Sequence, residues 1–293
     1  MDAPALPFAK MHGCGNDYVV VDAFHHPVAD PAALARAVCP RRTGVGSDGL
    51  LLALPGDRTS LRMRMFNVDG SEAEMCGNGL RCLVKFALER ELVPWAEQGV
   101  VETGAGTLAW SLHAGDGEDG VRRVDEVTVR MGRPELERAR IPMTGPEGRV
   151  VEELIDLGGS PLSITAVSMG NPHAVTFVDD VGAVDLGVVG PRVEGHEAFP
   201  NRTNTEFVQV LSRGEVLQRT WERGCGETEA CGTGACAVAV AGVLTGRTDR
   251  ELLIHLRGGD LHVTWEEEAD GGQVRMRGPA VEVFQGAWPL GWA

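Results

Sequence analysis

The sequence predicts an α+β fold built from one unit written twice, and three observations carry that prediction. A cysteine motif recurs at a constant offset, the strand-like segments are short, and a helical run follows each of the two motif cysteines. Around Cys76 the chain reads F-N-V-D-G-S-E-A-E-M-C-G-N-G, and around Cys231 it reads W-E-R-G-C-G-E-T-E-A-C-G-T-G. At an offset of 155 (231 − 76), Glu72, Glu74, Cys76, Gly77 and Gly79 fall on Glu227, Glu229, Cys231, Gly232 and Gly234 without a gap. Gly15-Asn16 falls on Gly170-Asn171 at the same offset. With gaps, Thr103 to Gly106 matches Arg257 to Asp260, and Val129-Arg130-Met131 matches Val274-Arg275-Met276. Several matches in one order mark a duplicated unit.

The elements follow in order along the chain. Val19 to Asp22 reads as a strand. Asp30-Pro31 opens a short helix through Val38, with Asp as N-cap and Pro at the first helical position. Leu61, Met63 and Met65 alternate with Arg62 and Arg64, the period of a half-buried strand. Leu80 to Arg90 lacks Gly, Pro and alternation, and reads as helix. In the second half, Val216 to Trp221 is the strand and Ala235 to Leu244 the helix. That helix is apolar nearly all round, which predicts burial. The run Gly44 to Gly49 fits G-x-G-x-x-G literally, but it follows Pro40-Arg41-Arg42-Thr43 and enters Leu50-Leu51-Leu52. A dinucleotide fingerprint follows a strand and opens a helix, so this one is rejected. The repeat places a break between the halves in the region of Val124 to Pro134.

Composition narrows the function. Acidic residues number 42 against 27 basic ones, a formal charge of −15. Neutralising phosphates needs a basic surface, so nucleic acid is excluded as a partner. Lys10 and Lys85 are the two lysines, and neither sits where a pyridoxal Schiff base is expected. The segment from Met1 to Lys10 carries no secretory pattern, and the apolar run Ala235 to Leu244 is too short to cross a bilayer. Seven cysteines, an odd number in a chain that does not need disulfides to fold, imply a reduced, cytoplasmic setting.

Both motif cysteines follow one local path: strand, polar loop, Cys-Gly-x-Gly, helix. A helix start offers unpaired N–H groups and a positive dipole end that bind a carboxylate and lower a thiol pKa. Two such thiols on opposite faces of a carbon could remove a proton from one side and return one on the other. That is the requirement for inverting a stereocentre, and the thiols would titrate as a coupled pair.

Gly15-Asn16-Asp17, Phe66 to Glu72, Met75 to Cys82, Met169-Gly170-Asn171-Pro172-His173 and Glu222 through Ala235 resemble the motifs of diaminopimelate epimerases, collinearly over essentially the whole chain. The resemblance implies interconversion of LL- and meso-2,6-diaminopimelate without a cofactor, in lysine and peptidoglycan precursor synthesis. It implies a homodimer and two pseudo-symmetric domains, each with strands wrapped around a central helix and an active site in the cleft between them. The domains are then 1–126 with a returning strand at 281–293, and 127–280. By motif, Cys76 and Cys231 resemble the acid/base thiols, and Gly77, Asn78, Gly232 and Thr233 the carboxylate cradle. Asn16, Asn67, Asn171, Asn204, Glu222 and Arg223 match positions that bind the rest of the substrate. His173 and Glu222 are candidates for tuning the thiols or orienting the α-amino group. One departure is Gly49, where relatives often carry a glutamine.

Other readings are open at this level. A proline or hydroxyproline racemase of the same architecture is the alternative enzyme, and a non-catalytic redox or metal-binding protein the alternative class. Cys14, Cys39, Cys82 and Cys236 read as buried hydrophobes, and Cys225 as inert or a redox liability. The cysteines lack the close C-x-x-C spacing of zinc sites, so no metal is expected. Glu72 and Glu227 read as helix-capping or dipole residues, and Glu266-Glu267-Glu268 as a solvated turn.

Overall fold

The computed structural model describes residues 5–116, 122–267, 269 and 272–289. Residues 1–4, Glu268 and 290–293, on which parts of the N-terminal, acidic-run and final-strand expectations fall, lie outside the described residues. The chain divides into two compact units, residues 1–129 with 278–293 and residues 130–277.

The first unit contains β1 (Ala5–Gly13), β2 (Asn16–Asp22), α1 (Pro31–Val38), β3 (Gly49–Leu54), β4 (Arg62–Asn67), β5 (Glu72–Ala73), α2 (Gly77–Glu89), β6 (Gln98–Thr103), β7 (Gly106–Asp116) and most of β8 (Arg122–Gly132). The second contains β9 (Glu153–Asp156), β10 (Pro161–Ser168), β11 (Pro172–Phe177), α3 (Leu186–Glu194), β12 (Asn204–Ser212), β13 (Glu215–Glu222), β14 (Gly226–Thr228), α4 (Gly232–Leu244), β15 (Glu251–Leu256), β16 (Gly259–Trp265) and most of β17 (Val274–Pro279). The last strand, β18 (Val281–Pro289), pairs antiparallel with β1 in the first unit. The fold is α+β and dominated by strands, as the sequence predicts.

The duplication extends to strand register. β2 pairs parallel with β3, placing Tyr18 opposite Gly49, and β11 pairs parallel with β12, placing His173 opposite Asn204. Leu50 opposite Phe66 has its counterpart in Thr205 opposite Trp221, and Phe66 opposite Glu72 in Trp221 opposite Glu227. Each of these pairs is displaced by the same offset as the two cysteines.

Within each unit one helix is enclosed by strands: α2 packs on β1 to β4, and α4 on β10, β11, β12, β15 and β16. The α4 helix is buried on every face from Gly234 to Gly242, because alanine, valine and glycine leave no polar stripe. α1 starts as read, with the Asp30 side chain accepting from Ala33 N at 2.9 Å. Met63 and Met65 are buried while Arg62 and Arg64 are half-buried. One helix was not legible. α3 contains Gly187, Gly190 and Pro191, and tertiary packing overrides that poor propensity. A Cβ at Gly190 would lie 2.5 Å from the Trp221 ring, so the glycine permits the helix to cover the indole.

Candidate active site

Each unit builds its own half-site at the start of its enclosed helix. Cys76 is the N-cap residue of α2 and Cys231 that of α4, both with extended backbone (φ −146° and −119°). Gly77 and Asn78, and Gly232 and Thr233, therefore form the first turns, whose N–H groups have no intrahelical acceptor. Small residues are needed just beyond. A Cβ at Gly79 would meet Leu51 Cδ2 at 3.2 Å, and one at Gly234 would meet Glu206 Oε1 at 2.5 Å.

Around Cys76 the structure gathers Asn16, Asn78 and Tyr18. The Tyr18 hydroxyl is 2.9 Å from Cys76 Sγ and also donates to Asn16 Oδ1. Asn78 Nδ2 donates to the same Oδ1 at 3.3 Å, and Cys76 Sγ approaches it at 3.8 Å. The amide of Asn16 is oriented from behind, where Nδ2 donates to Asp48 Oδ2 at 2.7 Å. Asp48 is tied to Arg41 at 2.7 Å, and Arg41 forks onto Asp17 at 3.0 and 2.8 Å. Burial pushes the Asp17 carboxyl up, but bonds from Arg41 and Lys10 outweigh it and bring it to about 2. Asn67 ends β4 and bonds to Ser71 Oγ at 2.9 Å in the β4–β5 turn, rather than to the Cys76 group. Gly49 has a steric reason: a Cβ there would lie 2.8 Å from the Phe66 carbonyl oxygen.

Around Cys231 the neighbours are Thr233, Asn171, His173 and Glu222. Thr233 Oγ1 lies 3.5 Å from Cys231 Sγ and accepts from Asn171 Nδ2 at 3.3 Å. Asn171 Oδ1 faces His173 Nε2 at 3.1 Å, while His173 Nδ1 meets Glu206 Oε1 at 2.8 Å. Both His173 and Glu206 are completely buried. Glu206 Oε2 has no hydrogen-bond partner among the described residues. Glu222 accepts from Thr228 Oγ1 at 2.5 Å and also bonds to Cys231. Burial pushes the Glu222 carboxyl up against those two bonds, with Glu206 adding to the rise.

The Cys231 thiol is raised well above its usual range, by burial first and then by the Glu222 and Glu206 carboxylates. The helix start was expected to lower it. Desolvation and two nearby carboxylates win over a partial dipole charge.

Asn204 and Arg223 meet each other through the backbone. Asn204 Nδ2 donates to Pro172 O at 3.0 Å, and its Oδ1 accepts from Arg223 N at 2.9 Å. The exposed guanidinium of Arg223 donates to Asn201 O at 3.1 Å.

Glu72 and Glu227 differ from their reading as capping residues. Each lies on a short strand and is gripped by an arginine eight residues earlier, Arg64 to Glu72 at 2.7 and 2.8 Å and Arg219 to Glu227 at 2.8 and 3.1 Å. Cys14, Cys39, Cys82 and Cys236 are buried, and burial pushes the Cys82 thiol up to about 12. Cys225 is exposed. Among the described residues, no group of three or more His, Cys, Asp or Glu is placed to hold a metal ion, and no helix is long and apolar enough to cross a membrane.

Sequence reasoning missed Tyr18, Asp48 and Glu206. The repeat itself held a signal for the first, since Tyr18 stands at the position of His173 one offset away. Glu206 corresponds in the same way to Leu51.

Comparison with known proteins places the chain in a family. The family model described as Diaminopimelate epimerase matches residues 8–137 and 165–283. A diaminopimelate epimerase of Desulforudis audaxviator is 55% identical over 284 residues, covering 97% of this chain and 99% of that protein. One from Moorella thermoacetica is 52% identical, with coverage of 97% and 100%. Among solved structures, a phenazine biosynthesis protein of the PhzF family from Bacillus anthracis is similar in fold, with a TM-score of 0.68 at 18% identity over 97% of this chain and 99% of that one. So is a hydroxyproline epimerase from Agrobacterium vitis, with a TM-score of 0.67 at 16% identity and coverage of 98% and 93%. With the family model matching most of the sequence and near-full-length relatives sharing half of it, the chain belongs to the diaminopimelate epimerase family.

Proposed function

We propose that this protein is an isomerase that interconverts LL- and meso-2,6-diaminopimelate by proton transfer at Cα between two thiols. The observation that carries the reading is the matched placement of Cys76 and Cys231 as N-cap residues of two enclosed helices, over parallel strand pairs of the same register. One sulfur, ionised, takes the Cα proton while the other, protonated, supplies a proton to the opposite face. The N–H groups of Gly77 and Asn78, and of Gly232 and Thr233, cradle the substrate carboxylate and stabilise charge as the proton leaves. Asn16, Asn67, Asn171, Asn204, Glu222 and the Arg223 fork hold the rest of the substrate, its distal amino acid group. Glu222 and His173 tune Cys231.

The reaction uses no cofactor. Both lysines are engaged elsewhere, Lys10 with Asp17 at 2.6 Å and Lys85 with Glu89 at 2.7 Å and Val124 O at 2.6 Å. None of the seven cysteines is in a disulfide, and the chemistry needs its two thiols reduced, which supports a cytoplasmic setting. A homodimer is supported by β18, where Val281, Val283 and Phe284 expose an apolar strip. The net charge of −15 disfavours nucleic acid.

The test is solvent-deuterium incorporation at the substrate Cα by reduced protein without added cofactor. Incorporation accompanied by inversion is expected in the wild type, with the inversion lost in Cys76→Ala and Cys231→Ala. Absence of exchange in the reduced wild type, or full epimerisation by either variant, would overturn the reading.

A further inference from the structure

The chain contains a single tyrosine, and it lies beneath one of the two thiols. Tyr18 is completely buried on β2, with Cζ 3.5 Å from where a Cβ at Gly79 would stand. Its hydroxyl carries one hydrogen and, among the described residues, meets Asn16 Oδ1 and Cys76 Sγ. Asn16 Oδ1 does not depend on that hydrogen, because Asn78 Nδ2 also donates to it and Asp48 holds the amide from the other side. The tyrosine hydrogen is therefore able to leave the amide without orphaning it.

We infer that the Tyr18 hydroxyl is a hydrogen-bond donor to the Cys76 thiolate, turning between Cys76 and Asn16 as the sulfur loses and regains its proton. With Cys76 ionised, the Tyr18 O–H points to the sulfur and stabilises its charge. When the sulfur takes the substrate proton, the Cα–H bond breaks and its electrons stay on carbon. The new S–H then donates to the Tyr18 oxygen, and the Tyr18 hydrogen returns to Asn16 Oδ1. Tyr18 keeps its own proton throughout. Burial first, then the neighbouring Cys76, hold the phenol well above its usual range, so it remains a donor wherever a thiol titrates.

The second half-site has no such device at the matching place. His173 stands there and meets Asn171 and Glu206 instead. The inference rests on Cys76 being one of the two proton-transferring thiols.

Tyr18→Phe removes one oxygen and keeps the packed ring. A hydrogen bond to a charged group is lost, so kcat is expected to fall at least about tenfold with little change in KM. The pH midpoint for iodoacetamide alkylation of Cys76, read on its own peptide by mass spectrometry, should rise by about one unit. Incorporated 13Cζ-tyrosine gives one resonance in the wild type, and it should titrate with the Cys76 alkylation midpoint and move when Cys76 is alkylated. An unchanged Cys76 profile in Tyr18→Phe, or a wild-type resonance blind to Cys76, overturns the inference. The labelled wild type decides the question even if the variant does not fold. Full epimerisation that persists in Cys76→Ala would overturn the proposed function, whereas the tyrosine titration would still report on the thiol contact.

Discussion

The two half-sites share a backbone but not an electrostatic environment. Beneath the start of α2 stand Tyr18 and Leu51, and beneath the start of α4 stand His173 and Glu206 at the same register positions. Cys76 thus meets a neutral hydroxyl, whereas Cys231 lies near Glu222, Glu206 and His173. Duplication gives each unit one thiol at the start of its own enclosed helix. Divergence beneath each helix then gives the two thiols different surroundings, and burial with the Glu222 and Glu206 carboxylates holds the Cys231 thiol well above its usual range. That difference matters, because two like thiols in like settings would compete for the same state.

The largest test of the comparison removes either sulfur. Cys76→Ala and Cys231→Ala should each lower epimerisation by about 10²–10⁴-fold, the contribution of a positioned acid or base. A chiral assay of both directions checks this, and one variant retaining full activity would break the equivalence of the halves.

Breaking the buried pair in the second half should cost stability that the first half cannot lose. His173→Ala leaves the Glu206 carboxylate buried without its ring partner, at a cost of about 3–5 kcal/mol. Urea unfolding would show this as a lower midpoint.

Charge changes beside Cys231 should sharpen the contrast between thiols. Glu222→Gln removes a negative neighbour, so the Cys231 thiol pKa falls and its alkylation at fixed pH quickens by up to about tenfold. Peptide-resolved alkylation measures this, and slower labelling of Cys231 would contradict the stated cause of its raised pKa.

Acid should act on the halves with opposite sign. Asp17 is held at about 2 against an ordinary 3.8, so its stabilising contribution is present above the ordinary value and is lost as pH falls through about 2. Glu222 is raised, so its contribution is present below the ordinary carboxylate value and is lost as pH rises through the raised one. Hydrogen exchange resolved by peptide should show β2 and the Asp48 loop losing protection first under acid. Asp17→Asn should flatten that loss.

The smallest effect concerns the paired arginine clamps. Arg64→Ala removes a partly exposed bidentate pair and should cost no more than about 1 kcal/mol, whereas Arg219→Ala also leaves the Val181 and Val184 carbonyls without their donor and should cost more. Thermal unfolding measures both, and a larger loss for Arg64→Ala than for Arg219→Ala would contradict this ordering.

Much of this was legible in the residues. Glycine-flanked cysteines at a fixed offset announce themselves locally, and so do Asp30-Pro31 and the alternation at Leu61 to Met65. Glu206 did not, because a glutamate in a strand reads as solvated until α4 is known to cover it. Tyr18 reads equally well as an ordinary core aromatic. Its hydroxyl gains meaning only from Cys76, 58 residues away. Nor could α3 be read, since Gly190 and Pro191 argue against a helix whose purpose is to cover Trp221.

By itself, the sequence determined that the unit occurs twice, that each copy starts a helix after its cysteine, and that the second of these helices is buried. Those are properties of short segments, set by side-chain size, glycine placement and apolar pattern. Only the tertiary structure decided what lies under each thiol. The deciding groups come from β2 and β3 in one half and from β11 and β12 in the other, brought together by parallel pairing across intervening chain. Burial and through-space charge, which no local pattern encodes, then gave two copies of one motif two different chemical environments.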